Sequence, residues 1–594
     1  IYFKPRKTFV RTDMEGNVNA DAVLVNDTAE NIEKTVLAQI IDKSGKIVAE
    51  SSANVTVEAY EESFFNVKMK VDSPELWNID EPNLYTFRIT VSDEVEDTAV
   101  GFRSFRFDAD KGFFLNGKHI KLRGACVHQD FGGVGVALTD NLQYYKIKKL
   151  KEMGVNAYRC SHNAPAPALL KACDELGMLV MDETRMFGSS PEAVEQLTSV
   201  VERDRNHACV FIWSIGNEEF DVQNLDWGRK LAEKAVRITK KLDDTRLTIY
   251  SGNNGDNFVG ANGATDVRGI NYIHNGSASW VEKYHKDHPE QPIIGSEESS
   301  FVLSRGGMKN DLANGLLDTT GNVTMPWGSS LKGWTKFFEE RDYLLGGFMW
   351  TGFDYRGEPN PFYQRNAVSS FGVIDLCGME KPPFYYYKAW WTDEPVLKLA
   401  PHWNHKEGET VTIAVFTNCE EITLSLNGRV LETKKVDRFD VPLFCVAFEP
   451  GELSVSGMRG GMILRDSLVT SGDTAELRCV SVLEAKDGTE IGIYEISAYD
   501  SNGIFCPTAA NEIEITVENG SIVGVGNGDP SNMDYEQKPL AESAKLICSF
   551  TDDGTSVSIP QKVANRLPDR REQLVMEPPQ PFFEDDFRLV TKNA

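Results

Sequence analysis

No stretch of this sequence contains the ~18 consecutive apolar residues that a membrane-spanning helix needs. The ten cysteines stand singly, without a CxxC pair or a Cys/His group at zinc spacing, which indicates reduced thiols and no structural zinc. Basic residues are scarce too, since 62 Lys and Arg face 89 Asp and Glu and leave a net charge of −27. That charge argues against nucleic acid or a membrane as partner and suits an uncharged substrate.

The first residue is Ile1, and no signal-like segment follows it. We therefore expect a fragment whose N-terminal sorting information is absent, which leaves a periplasmic, secreted or cytoplasmic location open. A length of 594 residues exceeds one hydrophobic core and predicts about three to five domains.

Two apolar runs end abruptly in a carboxylate. They are residues 211–218 (FIWSIGNE) and residues 292–297 (PIIGSE). Apolar runs of this length, polar only at the C-terminal end, are typical of strands buried on both faces in a parallel sheet. In a parallel barrel such ends share one rim, so Glu218 and Glu297 are expected to face each other across one pocket. Paired carboxylates are the groups that glycoside hydrolysis requires.

Strand-like and helix-like segments alternate between residues 109 and 395, which we predict to be the catalytic domain. One helix is predicted from Asp140 to Met153 behind a cap at Thr139 or Asp140. Eight βα units in this length predict a (β/α)8 TIM barrel. The candidate strands are residues 119–122, 155–158, 178–181, 209–214, 247–250, 267–270, 292–295 and 346–349.

Short alternating runs separated by turn residues flank the predicted barrel on both sides, as in β-sandwiches. Asn427-Gly428 is a two-residue hairpin signal within one of them. The predicted architecture is multidomain, a central TIM barrel with flanking immunoglobulin-like β-sandwich domains. The predicted boundaries are a sandwich at 1–108, the barrel at 109–395, sandwiches at 396–472 and 473–562, and a tail at 563–594.

Several motifs, in order, resemble glycoside hydrolase family 2, the β-galactosidase and β-glucuronidase group, over essentially the whole chain. The motifs are GFR at 101–103, RGACVHQD at 123–130, RCSHNAP at 159–165, MDE at 181–183, WSIGNE at 213–218, SE at 296–297 and GGFMWTGFDYRGEP at 346–359.

The resemblance implies that Glu218 is the general acid/base and Glu297 the nucleophile. It places Asn217 at the sugar 2-hydroxyl, and Arg159 and Tyr272 beside Glu297. Glu218 must begin protonated, so we expect apolar walls and the nearby Glu297 to raise its pKa.

Three further residues, His128, His162 and Trp350, match sugar-binding positions of the family, and Asp354 lies just beyond the last of them. His128 and His162 are expected to hydrogen-bond the sugar, Trp350 to form the aromatic floor, and Asp354 to bind a hydroxyl. Glu219 and Glu298 each follow a catalytic candidate, but strand alternation and the family motif favour the first glutamate of each pair. Asp182 and Glu183 are interpreted as structural partners of arginines at the barrel rim.

Three departures from the family pattern qualify the resemblance. The family's N-terminal jelly-roll domain is absent from this chain, so we expect that binding or activity could be reduced. The sequence TRMFG after Glu183 lacks the Glu-x-His of magnesium-binding relatives, and no metal or cofactor is expected. Residues 365–368 (RNAV) lack the lysine that pairs with a uronic acid in β-glucuronidases, which favours an uncharged sugar.

The prediction is a retaining exo-β-glycosidase, most simply a β-galactosidase, acting on a small carbohydrate or glycan, with assembly into a homo-oligomer left open. The alternatives are a β-glucuronidase or β-mannosidase of the same family, or a carbohydrate-binding pseudoenzyme.

Overall fold

The computed structural model describes residues 1–185, 187–273, 279–307, 310–362, 366–486, 488–511, 513–518, 520–532, 544–550 and 556–558. The predicted tail at 563–594 lies outside these residues. Among the described residues, every helix is too short or too polar to cross a bilayer.

The chain begins with a β-sandwich. In one sheet β1, β2 and β6 all pair with β3, and the other has the order β5-β4-β7-β8. Buried and exposed residues alternate along β3 and β7, and the inward side chains form one apolar core. The strands are β1 Tyr2–Phe3, β2 Phe9–Thr12, β3 Asn17–Val25, β4 Ile32–Ile41, β5 Ile47–Val57, β6 Glu62–Lys70, β7 Tyr85–Val91 and β8 Glu94–Val100.

A small antiparallel sheet, ordered β11-β10-β9, links the sandwich to the next domain. Its strands are β9 Phe105–Asp108, β10 Gly112–Leu115 and β11 Lys118–Ile120. Phe105, Phe107 and Phe113 pack against Phe211, with ring centroids 5.5–6.4 Å apart. This sheet therefore closes the end of the barrel at which the strands begin.

The central domain is a closed barrel of eight parallel strands, β12 to β19, which confirms the predicted fold. The strands are nearly continuous buried runs, as expected where helices cover the outer face. They are β12 Leu122–Val127, β13 Ala157–Cys160, β14 Leu179–Glu183, β15 Val210–Asn217, β16 Leu247–Gly252, β17 Val267–Asn271, β18 Ile293–Ser299 and β19 Leu344–Trp350.

The first barrel strand was predicted wrongly at residues 119–122. His119 belongs to β11, where it is exposed and pairs with Phe114 across a hairpin. The barrel strand starts at Leu122 and runs through Gly124, Ala125 and Cys126, whose small side chains gave a weak hydrophobic signal. The other seven predicted strands overlap those observed.

Helices cover the outside of the barrel. The helix predicted from Asp140 to Met153 is observed at Asp140–Glu152, although Thr139 makes no side-chain cap bond. The helices are α1 Asp140–Glu152, α2 Pro167–Leu176, α3 Pro191–Asp204, α4 Phe220–Asn224, α5 Asp226–Leu242, α6 Ser279–Asp287, α7 Leu331–Glu339 and α8 Pro383–Trp391, with a 3-10 turn at Ala261–Gly263.

A second sandwich follows, with sheets β20-β21-β24 and β23-β22-β25-β26. The predicted hairpin is confirmed, because Leu426 pairs with Arg429 and both Asn427 and Gly428 have positive φ. The strands are β20 Leu397–Ala400, β21 Thr410–Thr417, β22 Glu421–Leu426, β23 Arg429–Lys435, β24 Leu443–Ala447, β25 Glu452–Arg459 and β26 Met462–Val469.

The third sandwich has the sheets β27-β28-β31-β30 and β29-β32. It reaches the barrel rim after β30, where Ala367 N donates to Pro530 O at 3.2 Å. Gly528 lies so close to the barrel that a Cβ there would meet Asp375 Oδ2 at 1.9 Å. The strands are β27 Thr474–Leu483, β28 Ile491–Asp500, β29 Thr516–Glu518, β30 Gly520–Gly526, β31 Ala544–Phe550 and β32 Ser556–Ser558.

Candidate active site

Both candidate carboxylates lie at the C-terminal rim of the barrel. Glu218 directly follows β15, and Glu297 lies near the end of β18. Glu218 has φ +56°, in the left-handed region that a non-glycine residue rarely adopts. Its backbone is held there because Glu218 N donates to Ser251 O at 3.0 Å. Such a conformation at the end of a barrel strand is typical of a functional position.

Glu297 is surrounded by hydrogen-bond donors. Arg159 Nη1 donates to Glu297 Oε2 at 2.9 Å, and Asn271 Nδ2 donates to the same oxygen at 3.2 Å. The Tyr272 hydroxyl donates to the other oxygen, Oε1. A cation and two neutral donors stabilise the ionised form of a buried carboxylate, so Glu297 is prepared to act as an anion.

Asn271 links the two carboxylates. Its Nδ2 donates to Glu218 Oε1 at 2.7 Å as well as to Glu297, while its Oδ1 accepts from Ser296 Oγ at 2.7 Å. Since Ser296 engages the amide oxygen, the amide nitrogen is the atom that faces both glutamates. The distance between the carboxylates is therefore maintained by a single side chain at the end of β17.

The electrostatics of Glu218 differ from those of Glu297. Burial, followed by the negative charge of Glu297, raises the pKa of Glu218 to about 8, although the hydrogen bond from Asn271 opposes the shift. At neutral pH Glu218 therefore holds a proton, and Glu297 beside it is bound by the Arg159 cation. Two nearby carboxyl groups whose environments differ in this way are suited to the separate roles of acid and anion.

Arg159 is fully buried beneath the pair and bonds to several groups at once. It donates to Glu183 Oε2 through Nε and Nη2 at 3.2 and 2.9 Å, and to Asn217 Oδ1 through Nη2 at 2.8 Å. Burial alone would raise the pKa of Glu183, but Arg159 and then His162 outweigh it and lower that pKa to about 2. Glu183 is thus a structural anion of the site, as the sequence interpretation proposed.

The predicted sugar-binding aromatics contact one another and, together with Tyr355, form an aromatic wall beside the carboxylate pair. The His128 ring is stacked on Tyr355, with centroids 3.7 Å apart and planes 1° apart. The His162 ring is stacked on Trp350 at 5.5 Å, and His162 Nδ1 lies 2.6 Å from Glu183 Oε1. Burial lowers the pKa of His128 to about 3, so its imidazole is neutral and its nitrogens can serve as hydrogen-bonding groups.

Asp354 is not placed with the other predicted ligands. Its side chain is fully buried, Lys381 Nζ lies 2.6 Å from Oδ2, and Gly372 N donates to Oδ1 at 2.7 Å. Burial raises the pKa of Asp354 to about 7 despite the nearby ammonium. The contacts of this carboxylate are thus with Lys381 and the backbone, and the hydroxyl-binding role of Asp354 stays a prediction.

The second glutamate of each pair faces elsewhere. Glu219 contacts Arg185 at 2.5 Å and the Tyr250 hydroxyl at 2.9 Å. Glu298 is fully buried and accepts from Ile273 N at 3.1 Å, and burial raises its pKa well above its usual value. Neither carboxylate joins the network around Asn271.

Sequence reasoning missed Asn271 and Glu358. Asn271 is the last residue of β17, and its position at a strand end beside Tyr272 was a usable signal. Glu358 accepts from the Tyr355 hydroxyl and lies within electrostatic range of both Glu218 and Glu297. Its place in the GEP sequence eight residues after Trp350 was a further signal.

One group among the described residues has the geometry for a metal ion, namely Asp174, His207 and Cys209. It lies at the N-terminal end of the barrel, where His207 Nδ1 is already 2.6 Å from Asp174 Oδ2. It is therefore separate from the carboxylate pair. In the segment compared with β-glucuronidases, Arg365 lies outside the described residues, and Asn366 Nδ2 donates to Gly315 O at 3.3 Å.

Comparison with known proteins agrees with this geometry. Residues 108–363 match the model described as "Glycosyl hydrolases family 2, TIM barrel domain", and residues 3–103 match "Glycosyl hydrolases family 2". Residues 408–464 match a domain of unknown function. Beta-galactosidase BoGH2A from Bacteroides ovatus is 33% identical over 92% of this chain and 73% of its own length. The chain belongs to glycosyl hydrolase family 2.

Other relatives of this family 2 glycoside hydrolase carry different names. A putative beta-glucuronidase from Formosa agariphila is 28% identical over 89% of the chain, which spans 55% of that relative. The crystal structure of a family 2 member from Bacteroides cellulosilyticus superimposes with a TM-score of 0.80 at 28% identity, covering 94% of this chain and 78% of the other. A beta-glycosidase from Bacteroides vulgatus gives a TM-score of 0.80 at 25% identity, with the same coverage.

Proposed function

We propose that this family 2 enzyme is a retaining, exo-acting β-galactosidase that removes terminal non-reducing β-D-galactose by double displacement. The observation that carries the proposal is the shared amide of Asn271. Its Nδ2 lies 2.7 Å from Glu218 Oε1 and 3.2 Å from Glu297 Oε2, so these oxygens are no farther apart than the sum, 5.9 Å. Retaining glycosidases need carboxyl groups about 5–5.5 Å apart, whereas inverting ones need about 6.5–9.5 Å.

In the first step Glu297 attacks the anomeric carbon and forms an ester bond as the glycosidic C–O bond breaks. The proton of Glu218 passes to the departing oxygen, which leaves as an alcohol. In the second step the Glu218 carboxylate takes a proton from water, the water oxygen bonds to the anomeric carbon, and the ester bond breaks. The sugar leaves in its original β configuration, and Glu218 is again protonated.

The other residues are assigned roles from their contacts. Arg159 and Tyr272 donate hydrogen bonds to Glu297, which orient its carboxylate and stabilise its negative charge until the ester forms. Asn217 has its amide oxygen occupied by Arg159 and Asn271, which leaves its amide nitrogen for the sugar 2-hydroxyl. His128, His162 and Trp350 line the wall against which the sugar ring packs.

The test is hydrolysis of a panel of nitrophenyl β-glycosides by the wild-type chain and by Glu297→Gln and Glu218→Gln. We expect galactoside turnover to be fastest in the wild type and to fall by on the order of 10⁴-fold or more in Glu297→Gln. Glu218→Gln is expected to retain more activity on dinitrophenyl than on nitrophenyl galactoside, because the better leaving group needs no proton. NMR of the first product formed should detect the β anomer.

Other results would point to the competing functions. Preferred hydrolysis of a glucuronide, the substrate named for the Formosa agariphila relative, would overturn the choice of galactose. Preferred hydrolysis of a mannoside would do the same. Sugar binding without turnover of any glycoside would indicate a carbohydrate-binding pseudoenzyme.

A further inference from the structure

A third carboxylate, Glu358, is bonded to the aromatic residues of the candidate site and has no part in the proposed catalytic steps. The residue as a whole is exposed to solvent, although its carboxyl group is partly buried. Burial raises the pKa of Glu358, and the hydrogen bond from Tyr355 opposes that shift. The negative charge of Glu297 raises this pKa further, whereas His162 lowers it. Glu297 and His162 are therefore close enough to Glu358 to interact with it electrostatically.

The position of Glu358 is fixed by a chain of hydrogen bonds. Trp350 Nε1 donates to the Tyr355 hydroxyl at 3.1 Å, and that hydroxyl donates to Glu358 Oε2. The Tyr355 ring is itself stacked on His128. The carboxylate is therefore attached to the same aromatic wall that is expected to hold the sugar.

The backbone at this position is also unusual. Glu358 has φ +45°, a left-handed conformation that costs a glutamate energy. The preceding turn is secured because Gly357 N donates to Ala367 O at 3.1 Å. A strained backbone held by its surroundings at a pocket is a recurring sign of a functional side chain.

In the described part of the chain, Tyr355 is the one hydrogen-bond partner of the Glu358 carboxylate, and no basic side chain there forms an ion pair with it. Its second oxygen, Oε1, thus keeps its capacity to accept hydrogen bonds. A carboxylate accepts but does not donate, and each hydroxyl of a neutral pyranose can donate to it. A uronic acid would present a second carboxylate, which offers no donor and is repelled.

We infer that Glu358 is a specificity-determining residue that accepts hydrogen bonds from hydroxyl groups of an uncharged glycone and selects against a uronic acid. The inference rests on the proposed glycosidase function, but it concerns neutral sugars as a class and does not require galactose. It assigns a role to a residue that neither protonates the leaving group nor attacks the anomeric carbon.

The experiment compares wild type, Glu358→Gln and the control Glu340→Gln in the full chain. Glu340 lies at the end of α7 and pairs only loosely with Lys336, at 3.9 Å, so its change alters the charge alone. For the neutral nitrophenyl glycoside that the wild type prefers, we expect kcat/KM of Glu358→Gln to fall about ten- to a hundredfold. We expect the ratio of glucuronide to neutral-sugar activity to rise about tenfold in this variant, and Glu340→Gln to match the wild type on both measures.

Deoxy sugars identify the bonded hydroxyl. If the neutral substrate is a galactoside, the 6-deoxy analogue (a β-D-fucoside) and the 4-deoxy analogue are tested with both enzymes. For the analogue that lacks the bonded hydroxyl, wild type and Glu358→Gln should differ much less than they do on the parent sugar. A purely structural effect of the substitution would instead lower activity on every analogue equally, and that result would overturn the inference.

Folding and function are separated by two further comparisons. Tyr355→Phe removes only the hydroxyl that holds Glu358, and it should shift the glucuronide ratio in the same direction by a smaller factor. A wild type that cleaves a neutral glycoside, with an unchanged kcat/KM in Glu358→Gln, overturns the role of Glu358 and leaves the glycosidase proposal intact. A wild type that prefers glucuronides overturns both the galactosidase assignment and the selectivity inferred here.

Discussion

Glu218 and Glu297 accept hydrogen bonds from the same amide nitrogen, that of Asn271. One carboxyl group is buried with a raised pKa, and the other is bound by Arg159. Because Asn271 sits at the end of β17, between the strands that carry the two glutamates in the barrel order, their separation is fixed by the sheet itself. This arrangement places two carboxyl groups in different electrostatic environments within 5.9 Å of each other.

The first prediction concerns the alkaline limb of the pH profile. Since the pKa of Glu218 is raised to about 8, we expect kcat/KM to fall as the pH rises through that value, because the acid loses its proton. The profile should be measured from pH 5 to 10 on the preferred nitrophenyl glycoside. Enzyme held at each pH and assayed again at pH 7 controls for unfolding.

The Asn271→Ala variant assigns that limb to Glu218. The hydrogen bond from Asn271 lowers the pKa of Glu218, so its removal should move the limb to higher pH while the overall rate decreases. A limb that stays in place in Asn271→Ala, or moves to lower pH, would show that another group controls it.

The second prediction links the same group to stability. The folded pKa of Glu218 lies above its usual value of 4.5, so its favourable contribution is complete below about pH 4.5 and is lost as the pH rises through about 8. Above about pH 8 the wild-type fold must hold a buried, ionised Glu218, which is unfavourable. Glu218→Gln carries no such charge and should therefore raise the Tm relative to wild type at pH 9, with little difference at pH 4.5. Glu340→Gln, which alters an exposed carboxylate, should show no such pH-dependent difference; a constant difference for Glu218→Gln would contradict the assignment.

The third prediction distinguishes the two glutamates at the end of β18. Burial raises the pKa of Glu298, so glutamine closely replaces its protonated form and can still accept from Ile273 N. Glu298→Gln should therefore keep activity within a few-fold of wild type and a similar Tm, whereas Glu297→Gln should be almost inactive. If Glu298→Gln were the inactive variant, the assignment of the nucleophile would be wrong.

Much of the site could be predicted from the sequence because its chemistry lies at strand ends. Glu218 and Glu297 interrupt apolar runs, and a polar residue at that position has no packing role to explain it. Arg159 follows the same rule at the end of β13. The barrel topology then brings these ends together whatever their separation in sequence.

The rest depended on contacts that sequence spacing does not encode. Asp354 follows Trp350 closely in the chain, but its carboxylate pairs with Lys381, 27 positions later. The sequence shows Asn271 only as an amide at a strand end. Its orientation depends on the hydrogen bond from Ser296 to its amide oxygen, which the sequence does not reveal. The first barrel strand was misplaced because the residues after Leu122 are mostly small, and the predicted start at His119 belongs to the neighbouring hairpin.

The fourth prediction concerns Asp354 and Lys381, the fully buried ion pair behind the aromatic wall. Lys381 Nζ lies 2.6 Å from Asp354 Oδ2 and also donates to Leu303 O at 3.1 Å, so the pair connects the loop after β19 to the loop after β18. Removing one partner leaves the other charge buried and uncompensated. At pH 8 we expect Asp354→Asn and Lys381→Met each to lower the free energy of unfolding by about 3–5 kcal/mol.

The double variant decides whether this is a stabilising pair or a sugar-binding carboxylate. With both charges removed, the loss should be clearly smaller than the sum of the single losses, because no buried charge is left alone. Urea unfolding supplies the free energies, and kcat and KM of the folded variants supply the second readout. If Asp354 instead binds a hydroxyl, Asp354→Asn would raise KM strongly with little loss of stability, and Lys381→Met would not reproduce that effect. If the loss of unfolding free energy in the double variant equalled the sum of the two single losses, the residues would not be coupled, and the ion-pair interpretation would be contradicted.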